Sequence, residues 1–447
     1  MSLTRYLKLN YLEGLLLFFV VLAFLFPLQT KIGFFLIYAY NLPLYVLLFI
    51  GFIHRIERAN TNLGRLDFWN TLNYLLLFFL WISTLLSRNL SDSFPQLFQF
   101  MHLPILAIFF RSIYQKRLSP EIIIMTMILI AGLETFTSIV QQLTNSNFGN
   151  IKAYIGQEEK NQLGIDLESA FSRIQGTLGN PNIVGAWLIC VSPFLLIMSY
   201  YDKFNTNSYW LLKVVLFIGV CLTIFFTFSR GSNGIFLLLL LSFTPFFLRI
   251  GSTINLPYID YQKTIKKVSY FFIIIATCVF IIVKVDVILL ALNYAESRIN
   301  SSFEDAGKVA SADFRLVMNQ AAIKYIFQNP FIGIGFSNGE LIYKEVGFFQ
   351  SFLQFRPHNT YLLMGVEGGI FAMITFIIIT LFPIYRLLMI RPSTPFKYAL
   401  LFSLIACLGF VQIYLITVSS DFAPLYFSLM GIAMGYADIC KVNHALK

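Results

Sequence analysis

Long, continuously apolar segments dominate the chain and decide what it can fold into. A helix needs about 20 mostly apolar residues to cross a bilayer, and such segments recur from residue 12 to residue 438. Of the 447 residues, 57% are hydrophobic and 12% are charged, whereas soluble proteins carry roughly 25% charged residues. So few charges cannot cover that much apolar surface in water. The sequence therefore predicts a polytopic membrane protein and excludes disordered, collagen-like, coiled-coil and disulfide-scaffold classes.

These segments predict an all-α protein with about twelve transmembrane helices. Strands are disfavoured because the segments are continuously apolar rather than alternating. Most Lys and Arg residues fall in the loops that are internal if the N-terminus is cytoplasmic, which predicts that both termini are cytoplasmic. The predicted spans are 12–28, 33–53, 69–87, 95–110, 121–140, 181–200, 210–228, 232–250, 269–290, 359–381, 398–417 and 422–438.

Two loops on the predicted outer side are long, and the larger one divides the chain. The first loop covers 141–180 and belongs to the region 1–290, which holds nine spans. The second loop covers 291–357, and the region 358–447 holds the last three spans. A loop of this size exceeds what a connector needs, so we expect it to be partly folded.

The large loop contains a helical pattern. Apolar residues recur at helical spacing from Phe314 to Tyr325. Ser311 is placed to cap this helix, and Asn329-Pro330 ends the pattern. We therefore expect an amphipathic helix that lies on the membrane or over the helix bundle.

Arginines occur close to helix starts on the predicted outer side. Arg173 precedes the sixth span, which Asn180 is placed to cap. Arg230 precedes the eighth span, Arg356 precedes the tenth, and Arg315 lies on the loop helix. Helix N-termini attract anions, and arginine suits bidentate phosphate recognition. One interfacial arginine commonly reaches to lipid headgroups, but together these residues predict an outward-facing anion site.

His358 is the histidine that lies at this predicted outer face, beside Arg356. An imidazole can take a proton near neutral pH, so we expect a general base there. A metal site is disfavoured because no second histidine or carboxylate lies at ligand spacing. His102 lies within a predicted span, where a hydrogen-bonded role is expected. Nucleotide-binding loops and hydrolase or metalloprotease motifs are absent from the sequence.

Several local patterns follow one another in a definite order. They are Gly176-Thr-Leu-Gly-Asn-Pro-Asn182, Ser229-Arg-Gly231, the Arg315 helix with Asn329-Pro330-x-x-Gly333-x-Gly335, and Pro357-His-Asn-x-Tyr361 with Glu367-Gly-Gly369. With the twelve spans and the large outer loop, this order resembles the O-antigen ligase and O-antigen polymerase-like superfamily of bacterial envelope glycosyltransferases. The resemblance covers most of the chain.

The resemblance implies an inverting, metal-independent glycosyl transfer without a cofactor, on the outer side of the bacterial plasma (inner) membrane. The donor would be a glycan on polyprenyl diphosphate, typically undecaprenyl diphosphate. The acceptor would be a lipid A-core sugar in a ligase or another lipid-linked repeat unit in a polymerase. We expect His358 as the catalytic base, Arg173, Arg230 and Arg315 on the donor diphosphate, and Asn180, Asn359 and Tyr361 as supporting residues.

Other functions stay open from the sequence alone. A polymerase of the same superfamily is the nearest alternative to a ligase. A transporter or flippase could use the sparse intramembrane charges Glu134, Lys284, Asp286 and Glu367, although paired broken helices are not visible. A non-catalytic scaffold is a third possibility. A nucleic-acid partner is not expected, because the position of the basic residues accounts for the net charge of +10.

Overall fold

The fold is given by a computed structural model, which describes about half of the predicted spans in full. The described residues are 29–32, 35–38, 67–87, 89–116, 120–144, 146, 148, 174, 176–177, 180–197, 207–227, 229, 232–237, 239, 311–339, 357, 359–392, 394–417 and 423–445. The predicted spans 12–28 and 269–290 lie outside these residues, as do most of 33–53 and 232–250.

Helices dominate the described residues, as the sequence predicts. One exception is a short antiparallel hairpin, β1 (Gln29–Ile32) and β2 (Phe35–Tyr38), with Gln29 opposite Tyr38. Strand β2 lies where the sequence predicts the start of the second span. The helices are α1 (Phe68–Leu85), α2 (Leu90–Lys116), α3 (Pro120–Thr144), α4 (Pro181–Ile197), α5 (Asn207–Phe226), α6 (Ser311–Gln328), α7 (Thr360–Leu388), α8 (Pro395–Thr417) and α9 (Ala423–Ala445).

Five described stretches are long and apolar enough to cross a membrane: 68–85, 90–112, 126–144, 360–388 and 396–416. Three shorter apolar stretches belong to α4, α5 and α9. Helix α4 has 17 residues, which span roughly 26 Å against a hydrocarbon core of about 30 Å.

Four charged side chains join one end of the bundle, here called the charged end. Arg111 on α2 donates to Asp438 on α9 through Nε at 2.8 Å and pairs with it through Nη2 at 2.7 Å. Arg111 also pairs with Asp67, the N-cap of α1. Arg386 on α7 pairs with the other oxygen of Asp438 at 3.0 Å. Each aspartate pairs with at least one arginine, so the charges of the four side chains cancel. These ion pairs link four helix ends.

The charged end fixes the relative directions of the helices. Helix α1 begins there, whereas α2, α7 and α9 end there. Helix α8 begins near the charged end, where the carbonyl of Lys397 accepts from the Tyr436 hydroxyl on α9 at 2.8 Å. Ser403, in the first half of α8, donates to the carbonyl of Pro193 near the end of α4 at 3.1 Å. Helix α4 therefore begins at the opposite end, here called the loop end. These directions agree with the alternation that the sequence predicts.

The loop helix α6 ends where the sequence predicts, at Gln328 before Asn329-Pro330. Its buried face includes Met318, Ala322, Tyr325 and Ile326. This face packs on Ile334 and on Val366 of α7. The second half of the loop helix thus packs against α7 of the bundle.

Candidate active site

Helix α7 is divided at Gly369, where φ is 81° and ψ is 175°. The hydroxyl oxygen of Tyr361 lies 3.3 Å from Oγ1 of Thr380, and its ring centroid lies 5.7 Å from that of Phe376. In a straight helix, residues 361 and 380 would be roughly 28 Å apart at 1.5 Å per residue. The piece 360–368 therefore folds back along the piece 370–388. The sequence prediction of one continuous span over 359–381 missed this reversal.

Tyr361 holds the folded-back piece through a buried network. Its hydroxyl donates to Oε1 of Gln412 on α8. The Gln412 amide donates to the carbonyl of Thr380 at 3.1 Å and to the hydroxyl of Tyr426 on α9. The Tyr426 hydroxyl donates to the same carbonyl at 3.4 Å. Side chains of three helices thus fix the start of α7.

The loop after α6 supplies the hydrogen bonds that the break in α7 removes. In a continuous helix, the amide of residue 370 would donate to the carbonyl of residue 366. Instead, the carbonyl of Val366 accepts from the amide of Ile334 at 2.9 Å, and the amide of Ile370 donates to the carbonyl of Pro330 at 2.7 Å. The loop therefore provides partners for the carbonyl and the amide that the break separates.

Glycines allow this close approach. Gly333 and Gly369 have positive φ values of 71° and 81°. A Cβ on Gly333 would lie 2.5 Å from the carbonyl oxygen of Val366. One on Gly369 would lie 2.6 Å from the carbonyl oxygen of Phe331. Two patterns that carried the family resemblance, at 329–335 and 367–369, thus form one contact.

Glu367, beside this contact, is 2% exposed. Its Oε1 accepts from the amide of Gly339 at 3.2 Å, and its carbonyl accepts from the Ser83 hydroxyl on α1. The side chain of Asn338 donates to the Ser87 hydroxyl at 2.5 Å. The loop that follows α6 is therefore tied to α1 and α7 together.

A second stretch, here called the segment 174–180, enters the bundle before α4, and its described residues Ile174, Gly176, Thr177 and Asn180 are non-helical. Oε1 of Glu134 on α3 accepts from the amide of Thr177 at 3.0 Å, and Oε2 accepts from its hydroxyl at 2.5 Å. The Gln141 side chain accepts from the amide of Gly176 and donates to its carbonyl, each at 2.9 Å. Non-helical chain at membrane depth needs such internal partners. The segment lies inside the bundle, not above it.

The same segment meets the end of α5. The amide of Ile174 donates to the carbonyl of Phe226 at 3.4 Å. A Cβ on Gly185 of α4 would lie 2.4 Å from the hydroxyl oxygen of Ser232, so the helical chain that starts at 232 packs closely on α4. Ile174 therefore lies against the end of α5, and the chain from Ser232 lies against α4.

Two predicted supporting residues are helix caps. The side-chain oxygen of Asn180 accepts from the amide of Asn182 at 2.9 Å. That of Asn359 accepts from the amides of Tyr361 and Leu362 at 3.0 and 3.1 Å. Helices α4 and α7 therefore each begin at a capped N-terminus, and a helix N-terminus carries partial positive charge.

Other predicted site residues are only partly located. His358, Arg173 and Arg230 lie outside the described residues, each next to a described neighbour: Asn359, Ile174 and Ser229. Arg315 lies in the first half of α6, and its side chain is not described. No cluster of three or more metal-ligating side chains occurs within the described portion of the chain.

His102 has the hydrogen-bonded role expected of it within a predicted span. The Nδ1 of His102 lies 3.1 Å from the carbonyl oxygen of Gln99, and its ring contacts Phe98. The described cysteines are all free thiols: Cys190, Cys221, Cys407 and Cys440.

Some residues at this end were missed by sequence reasoning. Glu134 was noted only as an intramembrane charge, and Glu367 as an intramembrane charge and as part of the Glu367-Gly-Gly369 pattern. Both hold non-helical chain. Gln141 and Gln412 drew no attention. A polar side chain within a long apolar run was the available signal, because burial there requires a partner.

The fold and the loop end define a class: a polytopic helical membrane protein with two non-helical segments packed among its helices at one end. Residues 214–377 match the protein family described as O-Antigen ligase. This match confirms the resemblance to the O-antigen ligase-like superfamily, and it contains both halves of the contact between the 329–335 loop and the break in α7. A search of curated proteins found no match.

Proposed function

We propose that this protein is a glycosyltransferase of the O-antigen ligase kind. It moves a glycan from polyprenyl diphosphate, such as undecaprenyl diphosphate, to a sugar hydroxyl. The acceptor is a lipid A-core or other envelope glycan. The reaction takes place at the outer side of the bacterial plasma membrane, with the loop end outward and both termini cytoplasmic.

One observation carries the proposal. The chain patterns by which the sequence resembles the superfamily are far apart in sequence, yet the loop at 329–335 hydrogen-bonds to the break at Gly369. Both lie in the matched region, and the break reverses the helix that follows His358. The family patterns therefore belong to one structural unit, which folds the helix that follows His358 back into the bundle.

The proposed chemistry uses fixed charge instead of a metal. Departure of the donor diphosphate builds negative charge, which Arg173, Arg230 and Arg315 neutralise together with helix N-termini. His358 removes the proton from the attacking sugar hydroxyl. Attack opposite the leaving diphosphate inverts the anomeric carbon. No divalent ion is required in this scheme.

The transporter alternative is less well supported. It drew on intramembrane carboxylates, and Glu134 and Glu367 are occupied in holding chain segments. A polymerase differs from a ligase only in its acceptor, which is another lipid-linked repeat unit, so it remains the second candidate of the same chemistry.

The test is glycan transfer by the full chain in proteoliposomes, with undecaprenyl-diphosphate-linked glycan as donor. Core oligosaccharide lipid and a second donor molecule are offered as separate acceptors, each with and without EDTA. We expect transfer that EDTA does not abolish and an inverted linkage by NMR. An absolute requirement for a divalent metal would refute the arginine scheme, and uptake of donor without transfer would favour a transporter.

A further inference from the structure

We propose that Glu134 is a positioning residue for the donor site, acting through the segment 174–180. This inference rests on the proposed function, because it assumes that the neighbouring Arg173 binds the donor diphosphate. Glu134 itself does not contact the donor in this scheme. Its effect is to hold the chain from which Arg173 and the Asn180 cap extend.

The contact between Glu134 and this segment is specific in its geometry. Glu134 is fully buried, and its two oxygens accept from the two donors of Thr177, the amide at 3.0 Å and the hydroxyl at 2.5 Å. Gly176 has a positive φ of 57°, and a Cβ there would lie 1.7 Å from Oε1 of Glu134. The sequence at 176–177 thus fits the carboxyl group in shape as well as in hydrogen bonding.

The position of Glu134 along α3 explains why a side chain with a hydrogen-bond acceptor is needed. It lies roughly 15 Å below the end of α3 at 1.5 Å per residue, a depth at which water cannot satisfy the amide of Thr177. Gln141, two turns further along α3, binds the amide and the carbonyl of the neighbouring Gly176. Together the two side chains fix both the depth and the direction of the segment.

The held segment also contacts the end of α5. Ile174, next to Arg173 in the sequence, donates to the carbonyl of Phe226 at 3.4 Å, and Phe226 is the last residue of α5. A shift of the segment would therefore move the chain that leads to Arg173 relative to the end of α5. Such a shift should weaken donor binding and leave acceptor binding unchanged.

The main experiment compares Glu134→Ala with Glu134→Gln. Glutamine can accept from the Thr177 amide through its oxygen and donate to the Thr177 hydroxyl through its nitrogen, so it preserves both contacts. We expect E134A to raise the KM for undecaprenyl-diphosphate glycan about tenfold or more, with the acceptor KM within about twofold. E134Q should return the donor KM to within about threefold of the wild type.

A matched control separates positioning from folding. Ser138 lies one turn away on α3 and is fully buried, and its hydroxyl has no hydrogen-bond partner among the described residues. S138A should leave the donor KM unchanged. Thr177→Val, which removes only the hydroxyl contact, should give an intermediate donor KM. An E134A protein that folds and keeps the wild-type donor KM overturns the proposal.

An activity-independent measurement tests the same contact. Cysteines at Ile174 and Phe226 should form a disulfide rapidly in the wild-type and E134Q backgrounds and several-fold more slowly with E134A. Single-cysteine variants measure background pairing with native thiols. If the wild type transfers no glycan, the proposed function fails. The cross-linking rates still test whether Glu134 holds residue 174 close to residue 226. Equal cross-linking rates with and without Glu134 overturn the anchoring.

Discussion

Tyr361 was named from a sequence pattern, and its hydroxyl contacts residues far from it in the sequence. Its place after His358 suggested a supporting role in the site. In the structure its hydroxyl contacts Thr380 and Gln412, deep between α7, α8 and α9. The side chain therefore holds the folded-back piece of α7, which Asn359 caps.

Replacement of Tyr361 by phenylalanine tests this role. The change removes one hydroxyl and leaves the buried Oε1 of Gln412 without that donor, so we expect a loss of about 1–2 kcal/mol in stability. Activity should fall with it, because the start of α7 is held less firmly. Thermal unfolding in detergent measures the first effect. Tyr385→Phe, on the exposed side of the same helix, should change neither, and a Y361F protein as stable as the wild type would contradict the network.

At this scale the sequence predicts local features and misses distant ones. The caps Asn180 and Asn359 were predictable because a cap bonds within its own first turn. The partner of Glu134 was not, since Thr177 lies 43 residues away. An isolated acid in an apolar run signals that a partner exists, but the fold alone identifies it.

On the scale of elements, the break in α7 is the feature that most changes the predicted arrangement. The residues from Thr360 to Leu388 are apolar enough to cross a membrane as one helix, so hydropathy alone predicts a single span. Gly368-Gly369 was visible in the sequence, but a glycine pair in an apolar helix also allows straight, close packing. The reversal depends on hydrogen bonds from the loop at 329–335. The sequence alone does not show that this loop contacts the break.

Gly369→Ala should disrupt this arrangement. Its positive φ disfavours any side chain, and the new Cβ would meet the Phe331 carbonyl at 2.6 Å. We expect destabilisation of more than about 2 kcal/mol and loss of glycan transfer, measured by thermal unfolding and by the proteoliposome assay. Gly409→Ala on α8, where a Cβ meets nothing within 4 Å, is the control. A fully active G369A protein would contradict the break.

On the scale of the whole molecule, the directions of the described helices were foreseeable, whereas the ion pairs of the charged end and the packing of the loop end were not. Helix directions follow from the alternation of spans and from the bias of Lys and Arg, and the described helices agree with that alternation. The segments 174–180 and 329–339 were expected to be outer loops. They pack among the helices because Glu134, Gln141 and Glu367 satisfy their backbone amides, which no hydropathy pattern records.

The charged end should make the free energy of unfolding depend on pH. Burial acts to raise the pKa of Asp67, but its hydrogen bonds with Arg111 and Asn70 and the charges of Arg111 and Arg386 outweigh it and lower the pKa. Because the folded pKa is depressed, this contribution is present above the ordinary value of 3.8 and is lost as pH falls through the folded pKa.

Asp67→Asn should therefore lower stability at pH 7 by about 1 kcal/mol and reduce the loss of stability that the wild type shows below about pH 4. Thermal unfolding from pH 7 to pH 3 measures both effects. Asp92→Asn, at an exposed site near the other end, should follow the wild-type curve. An identical pH profile for D67N and the wild type would show that the Asp67 pair contributes nothing.

The most direct measurement of the central claim is glycan transfer by His358→Ala. The full chain in proteoliposomes is given undecaprenyl-diphosphate glycan and acceptor, and His444→Ala, in the last turn of α9, is the control. We predict that the wild type and H444A transfer glycan, whereas a folded H358A protein loses at least about 100-fold in kcat, the usual size of a general-base contribution. Near-normal turnover by H358A would contradict the assignment of the base, and no transfer by the wild type would contradict the proposed function.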